Sequence, residues 1–243
     1  MCLEERKTNM KKLDKLIFGL NCKNYKYGDE LLEIAHFTDK LAKENPEIIF
    51  TFSAPYVDLA RVCKETENML IYAQGMDGIS PGRGNGLVLP DSLKAVGVNG
   101  VTLNHAERPM TVGQLVKAVY RAKELGLLVD LCCDSAEEAK MLATLKPNCL
   151  ICEPTSLIGT GKTASETYMQ EVVNTIHAIS DDIIICIGAG TKNGNDVYNA
   201  IKNGAQCAGG SSGIFAAENP HAVILDMLDG FKRAIADFPR WQR

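Results

Sequence analysis

The sequence predicts an α/β fold, a single closed (β/α)8 barrel, from three observations. Short β-rich apolar runs alternate with helical patterns from about residue 16 to the end, giving eight strand–helix units. No Pro- or Gly-rich linker divides the chain, and no tract is low in complexity. The length of 243 residues matches the roughly 250 of one such barrel. An open doubly wound sheet usually has fewer strands and a device that protects its edges, so eight units favour closure.

The strands are expected at Leu16 to Asn21, Ile48 to Ser53, Leu70 to Ala73, Gly100 to Leu103, Leu127 to Cys132, Cys149 to Glu153, Ile183 to Ile187 and Ala205 to Gly209. Each precedes a loop and a helix. The clearest helix spans about Val112 to Leu125, where Leu115, Val119 and Ala122 recur at three- and four-residue intervals and Gly126 ends it. Other helices are expected to begin near Gly28, Pro55, Leu89, Ser135, Ser165, Gly194 and Asn219, the last with a cap and a proline in its first turn. The division is a charged tail over 1–15, with eight ionisable residues, and one barrel domain over 16–243.

Composition narrows the function. Lys and Arg number 26 against 30 Asp and Glu, a net charge of −4, so there is no global positive field to attract nucleic acid or an anionic membrane. Apolar runs such as Ile183 to Ala189 are far shorter than the roughly 20 residues of a membrane helix. The charged N-terminus lacks an apolar signal core, so a cytoplasmic chain is expected. Nine cysteines, most in apolar strand-like runs, read as buried thiols of a reducing compartment.

In a parallel barrel, chemistry collects where the strands end. Those ends carry Asn21 and Lys23 after strand one, Asn104, His105 and Glu107 after strand four, and Glu153 after strand six. This set supplies a base, an electrophile and a cation, which suits proton abstraction next to a carbonyl. The runs Ile158-Gly159-Thr160-Gly161, Gly188-Ala189-Gly190 and Gly209-Gly210-Ser211-Ser212-Gly213 are small enough for peptide N–H groups to approach an anion. Taken alone, His105 would more often be structural, and Glu153 could be a helix cap. Their ordered neighbours favour the catalytic reading.

Several motifs coincide in order, and together they resemble the triosephosphate isomerase family, nearest its compact archaeal-type form. Asn21-Cys22-Lys23 resembles the family's Asn-x-Lys, and Asn104-His105-Ala106-Glu107-Arg108 its His-Ser-Glu-Arg segment. Glu153-Pro154 followed by Leu157 to Thr163 resembles the catalytic glutamate and its mobile loop. The resemblance implies a TIM barrel that interconverts dihydroxyacetone phosphate and glyceraldehyde 3-phosphate. It implies Glu153 as base, His105 as hydrogen-bond donor to the carbonyl and Lys23 as the stabiliser of the enediolate. Asn21, Gly159, Gly190, Lys192, Gly210 and Ser211 would bind the phosphorylated sugar. No metal or organic cofactor is implied, and the partner is a second copy of the chain, in a dimer or a tetramer.

Three positions depart from the family's pattern. Ala106 stands where serine is usual, Lys192 where a phosphate-binding serine is usual, and Asn85, within Pro81 to Gly86, where the dimer-contact loop has threonine. Lys192 reads equally as a solvated loop lysine or as a ligand contact. These departures leave room for an isomerase of another small sugar phosphate, such as a tetrose phosphate, or for a binding-only paralogue. Other motifs fail on spacing. Ser156 replaces the first glycine of a nucleotide loop ending in Gly161-Lys162-Thr163, and no acid ends the strand after Gly188-x-Gly190 as a dinucleotide site requires. Cys149-x-x-Cys152 lies in a strand, where residues three apart face opposite ways, and not at a helix N-terminus.

Overall fold

A computed structural model describes residues 15–188, 190–238 and 240. The eight strands are β1 (Leu16–Asn21), β2 (Ile48–Ala54), β3 (Leu70–Ala73), β4 (Gly100–Leu103), β5 (Leu128–Cys133), β6 (Cys149–Cys152), β7 (Ile184–Ile187) and β8 (Cys207–Gly210). They close in sequence order, every neighbour parallel, and β8 returns to β1. The helices are α1 (Gly28–Glu44), α2 (Tyr56–Glu65), α3 (Pro90–Ala95), α4 (Val112–Glu124), α5 (Ala136–Ala143), α6 (Glu166–His177), α7 (Gly194–Lys202), α8 (Ser212–Phe215) and α9 (Pro220–Asp237). Except for Lys15, the charged tail lies outside the described residues.

Most expected boundaries hold within one residue; the largest difference is at β8. Its ladder begins at Cys207 and not at Ala205, whose N–H donates to Ala200 O at 3.1 Å and so belongs to the turn that ends α7. The four-residue α8 is too short to generate a hydrophobic period and so leaves no periodic signal in the chain. Sequence capping signals do operate elsewhere: Thr111 and Gln114 form a reciprocal capping box on α4, and Gly126 leaves that helix at φ +67°.

Alternation along each strand separates two apolar regions. Outward residues such as Phe18, Phe50, Phe52 and Leu150 pack under the helices, with Phe18 5.0 Å from Phe231 of α9. Inward residues Ile17, Ile49, Leu70, Leu128 and Ile184 fill the barrel. The same alternation puts Cys149 inside and Cys152 outside. Tyr72 spans the interior because Gly100 leaves room: a Cβ there would meet its ring at 2.5 Å. Tyr72 hydrogen-bonds the fully enclosed Asp130, whose carboxyl is pushed well above the usual range by burial. Tyr72 and Asp130 lie beneath the cavity at the strand ends and border it from the barrel interior.

Candidate active site

Each sequence-derived polar residue is held by its own local device. Asn21 ends β1, and its Oδ1 accepts the N–H of Lys23 at 2.9 Å, fixing a tight turn that carries Lys23 at φ +47°. Gln74 donates to Lys23 O at 2.7 Å, and the Lys23 ammonium reaches Glu107 Oε1 at 2.6 Å. After β4, Asn104 adopts φ +59° and braces its loop, donating to Cys132 O and accepting from Met110 N–H, both at 3.1 Å. His105 follows, and its Nδ1 accepts the Glu107 N–H at 3.1 Å. That bond leaves the proton of a neutral ring on Nε2, which points to within 3.7 Å of Glu153 Oε2.

Glu153 stands one residue beyond β6, its N–H donating to Cys133 O at 2.9 Å. Gly188, past the end of β7, is what admits its side chain, since a Cβ at 188 would lie 2.3 Å from Glu153 Cγ and Oε1. Burial pushes the His105 pKa below the ordinary imidazole value and the Lys23 charge adds to this, against the carboxylates of Glu153 and Glu107. Burial alone would raise Glu107, but the Lys23 hydrogen bond and charge hold it below the usual carboxylate range.

A cavity of about 320 Å³ opens over these groups, bordered by Asn21, Lys23, His105 and Glu153. Gly159, Gly190, Gly210 and Ser211 border it as well, so all but one of the expected site residues meet at one cavity. The Ser211 hydroxyl oxygen is buried with no hydrogen-bond partner, a donor available to an anion. Gly190, at φ +73°, packs so closely on the loop after β6 that a Cβ would strike Lys162 O at 2.0 Å. Lys192 is the exception. Its exposed side chain lies across Gly161 of the same loop, and it does not border the cavity.

The model for triosephosphate isomerase matches residues 16–224. The chain belongs to the triosephosphate isomerase family. The triosephosphate isomerase of Metallosphaera sedula is 35% identical over 226 residues, 91% of this chain and 98% of that protein. Those of Saccharolobus solfataricus and Methanocaldococcus jannaschii are 33% and 31% identical, over 90% and 88% of this chain. Within this family frame the departures acquire positions. Ala106 has no hydroxyl to offer Glu153, and both residues border a second cavity of about 430 Å³ beside the first. The loop carrying Asn85 is closed at its base by the Asp77–Val88 backbone bond of 3.0 Å, and Asp77 Oδ2 also accepts Val88 N–H.

Sequence reasoning missed Gln74 as a support of Lys23 and Gly188 as the space for Glu153. Neither carries a local signal, because each acts on a residue more than 30 positions away. Among the described residues no His, Cys, Asp or Glu cluster is arranged to hold a metal ion, and no helix is long and apolar enough to cross a membrane.

Proposed function

We propose that this family member interconverts dihydroxyacetone phosphate and glyceraldehyde 3-phosphate by proton transfer through an enediolate. One observation carries the reading: a carboxylate, a neutral imidazole and an ammonium converge on a cavity that glycines and an unpartnered serine hydroxyl also line. Glu153 removes a proton from the carbon beside the carbonyl. His105 donates Nε2–H to the carbonyl oxygen as negative charge develops there, and Lys23 stabilises that charge. The ion pair with Glu107 and the Asn21 turn keep the ammonium aimed at the cavity. A neutral ring suits this step: its Nε2–H hydrogen-bonds the developing oxyanion, and if it gives that proton to the enediolate oxygen it becomes an imidazolate basic enough to take a proton back from the neighbouring hydroxyl.

Asn21 orients the sugar, and Gly159, Gly190, Gly210 and Ser211 receive its phosphate through peptide N–H groups and the free hydroxyl. Lys192 adds positive charge at the rim. Closure of the loop over Leu157 to Thr163 excludes water and protects the enediolate. We further propose that the chain works in the cytoplasm as a homodimer or homotetramer. Its many buried free thiols fit a reducing compartment.

The test is a coupled assay of glyceraldehyde 3-phosphate isomerisation on purified protein, with Glu153→Gln as control. Turnover should fall by roughly 10²- to 10⁴-fold in the variant, the usual worth of a positioned general base. A folded wild-type protein without turnover would favour a tetrose phosphate substrate or binding alone.

A further inference from the structure

Four inward-facing thiols, Cys132, Cys149, Cys186 and Cys207, take no part in this isomerisation, and Cys132 lies in register with Ile151 and not with another cysteine. Cys149, Cys186 and Cys207 pack together in the apolar cluster inside the barrel. Cys186 and Cys207 are register partners on β7 and β8. Neighbouring strands lie about 4.7–4.9 Å apart, within the roughly 4.4–6.8 Å between Cα atoms that a disulfide spans. Both of these cysteines border the cavity that holds His105 and Glu153, while Cys149 lies below it. Gly19 leaves space beside them, since a Cβ there would only touch Cys207 Sγ at 3.6 Å. A second register pair, Cys133 and Cys152 with sulfurs 3.6 Å apart, faces outward under the helices. It does not border that cavity and serves as an internal comparison.

We propose that Cys186 and Cys207 form an oxidisable dithiol on the floor of the substrate cavity, closed to a disulfide by a small peroxide that enters by the substrate's route. Only the route rests on the functional reading; the pair itself does not. Cys207 is the attacking sulfur: Gly19 beside it carries no side chain to cover its Sγ, and the neighbouring thiols of Cys149 and Cys186 lower its pKa to about 6 against the effect of burial. Its thiolate forms an S–O bond as the peroxide O–O bond breaks, leaving a sulfenic acid and hydroxide, with sulfur oxidised and peroxide reduced. The Cys186 sulfur then forms the S–S bond as the S–O bond breaks, and its proton leaves with the hydroxide as water.

The experiment treats wild-type protein with hydrogen peroxide, alkylates the remaining thiols and maps tryptic peptides by mass. Residues 163–192 and 203–232 form separate peptides with one cysteine each, Cys186 and Cys207. The expected product joins these two, two hydrogens lighter than their sum, and separates on reduction. Cys186→Ala should instead leave Cys207 as a sulfenic acid that a cyclic 1,3-diketone traps. Phosphoglycolate at tenfold over its dissociation constant, determined by calorimetry on the same sample, leaves about a tenth of cavities open and should slow the joining roughly tenfold. Prior joining of Cys133 to Cys152, no joining at all, or joining at an unchanged rate with phosphoglycolate bound would each overturn the proposal. If phosphoglycolate does not bind, the functional reading fails, and the joined peptide still decides the dithiol.

Discussion

Gly188→Ala separates the position of the carboxylate from its chemistry, because it leaves Glu153 in the chain and moves it. The new Cβ would lie 2.3 Å from Glu153 Cγ and Oε1 and 2.6 Å from Cδ, where ordinary contact begins near 3.4 Å. The carboxylate must therefore retreat by about 1 Å. The backbone at 188 is not in the left-handed region, and Glu153 can swing toward the cavity, so the fold itself should tolerate the change. A misplacement of about 1 Å from the reacting carbon costs on the order of 10²-fold, or about 2.7 kcal/mol of transition-state stabilisation. The expected result in the coupled assay is a kcat lower by about 100-fold. KM should stay within about threefold, since Gly210 and Ser211 are untouched. A melting temperature within a few degrees of wild type would certify the fold. A folded variant with kcat within threefold of wild type would refute the assignment of Glu153 as the base.

Three further outcomes follow from the same geometry. His105 has its pKa depressed, so at pH 6.5, where an ordinary histidine is about half protonated, nitrogen NMR should find it neutral with the proton on Nε2; a half-charged ring at that pH would contradict the site's electrostatics. Asp130, buried and held above the usual carboxyl range, keeps a proton that the unfolded chain releases above about pH 4. Stability should therefore fall by about 1.4 kcal/mol per pH unit from this group as pH rises toward its folded pKa. Asp130→Asn should remove that slope in urea unfolding at pH 5, 6 and 7, and equal slopes would refute the protonated carboxyl. Lys192→Ser should raise KM by roughly fivefold, the worth of an exposed charge contact, while leaving kcat within about twofold; an unchanged KM would return Lys192 to a solvated loop residue.

The architecture was available from the sequence because each of its causes is local. The alternation of apolar runs with helical periods, the capping box at Thr111 and Gln114, and the stop at Gly126 all act within a few residues. The candidate site was readable for a related reason: in a closed parallel barrel every strand delivers its last residues to one rim. Knowing that Lys23, His105 and Glu153 follow strands one, four and six was enough to expect them together. The net charge of −4 also gave no global positive field, and the apolar runs were too short for a membrane helix, without any coordinates.

What only the tertiary structure decided depends on groups brought together across the barrel. The proton of a neutral His105 sits on Nε2 because the Glu107 N–H meets Nδ1, and its pKa is lowered by burial that no single segment creates. Glu153 reaches the cavity through space left by Gly188, 35 residues later. Lys192, one position in a glycine loop by sequence, lays its long side chain over Gly161 and does not border the cavity. The pairing of Cys186 with Cys207 is a matter of register between β7 and β8, which hydrogen bonds between strands set and which spacing along the chain does not encode.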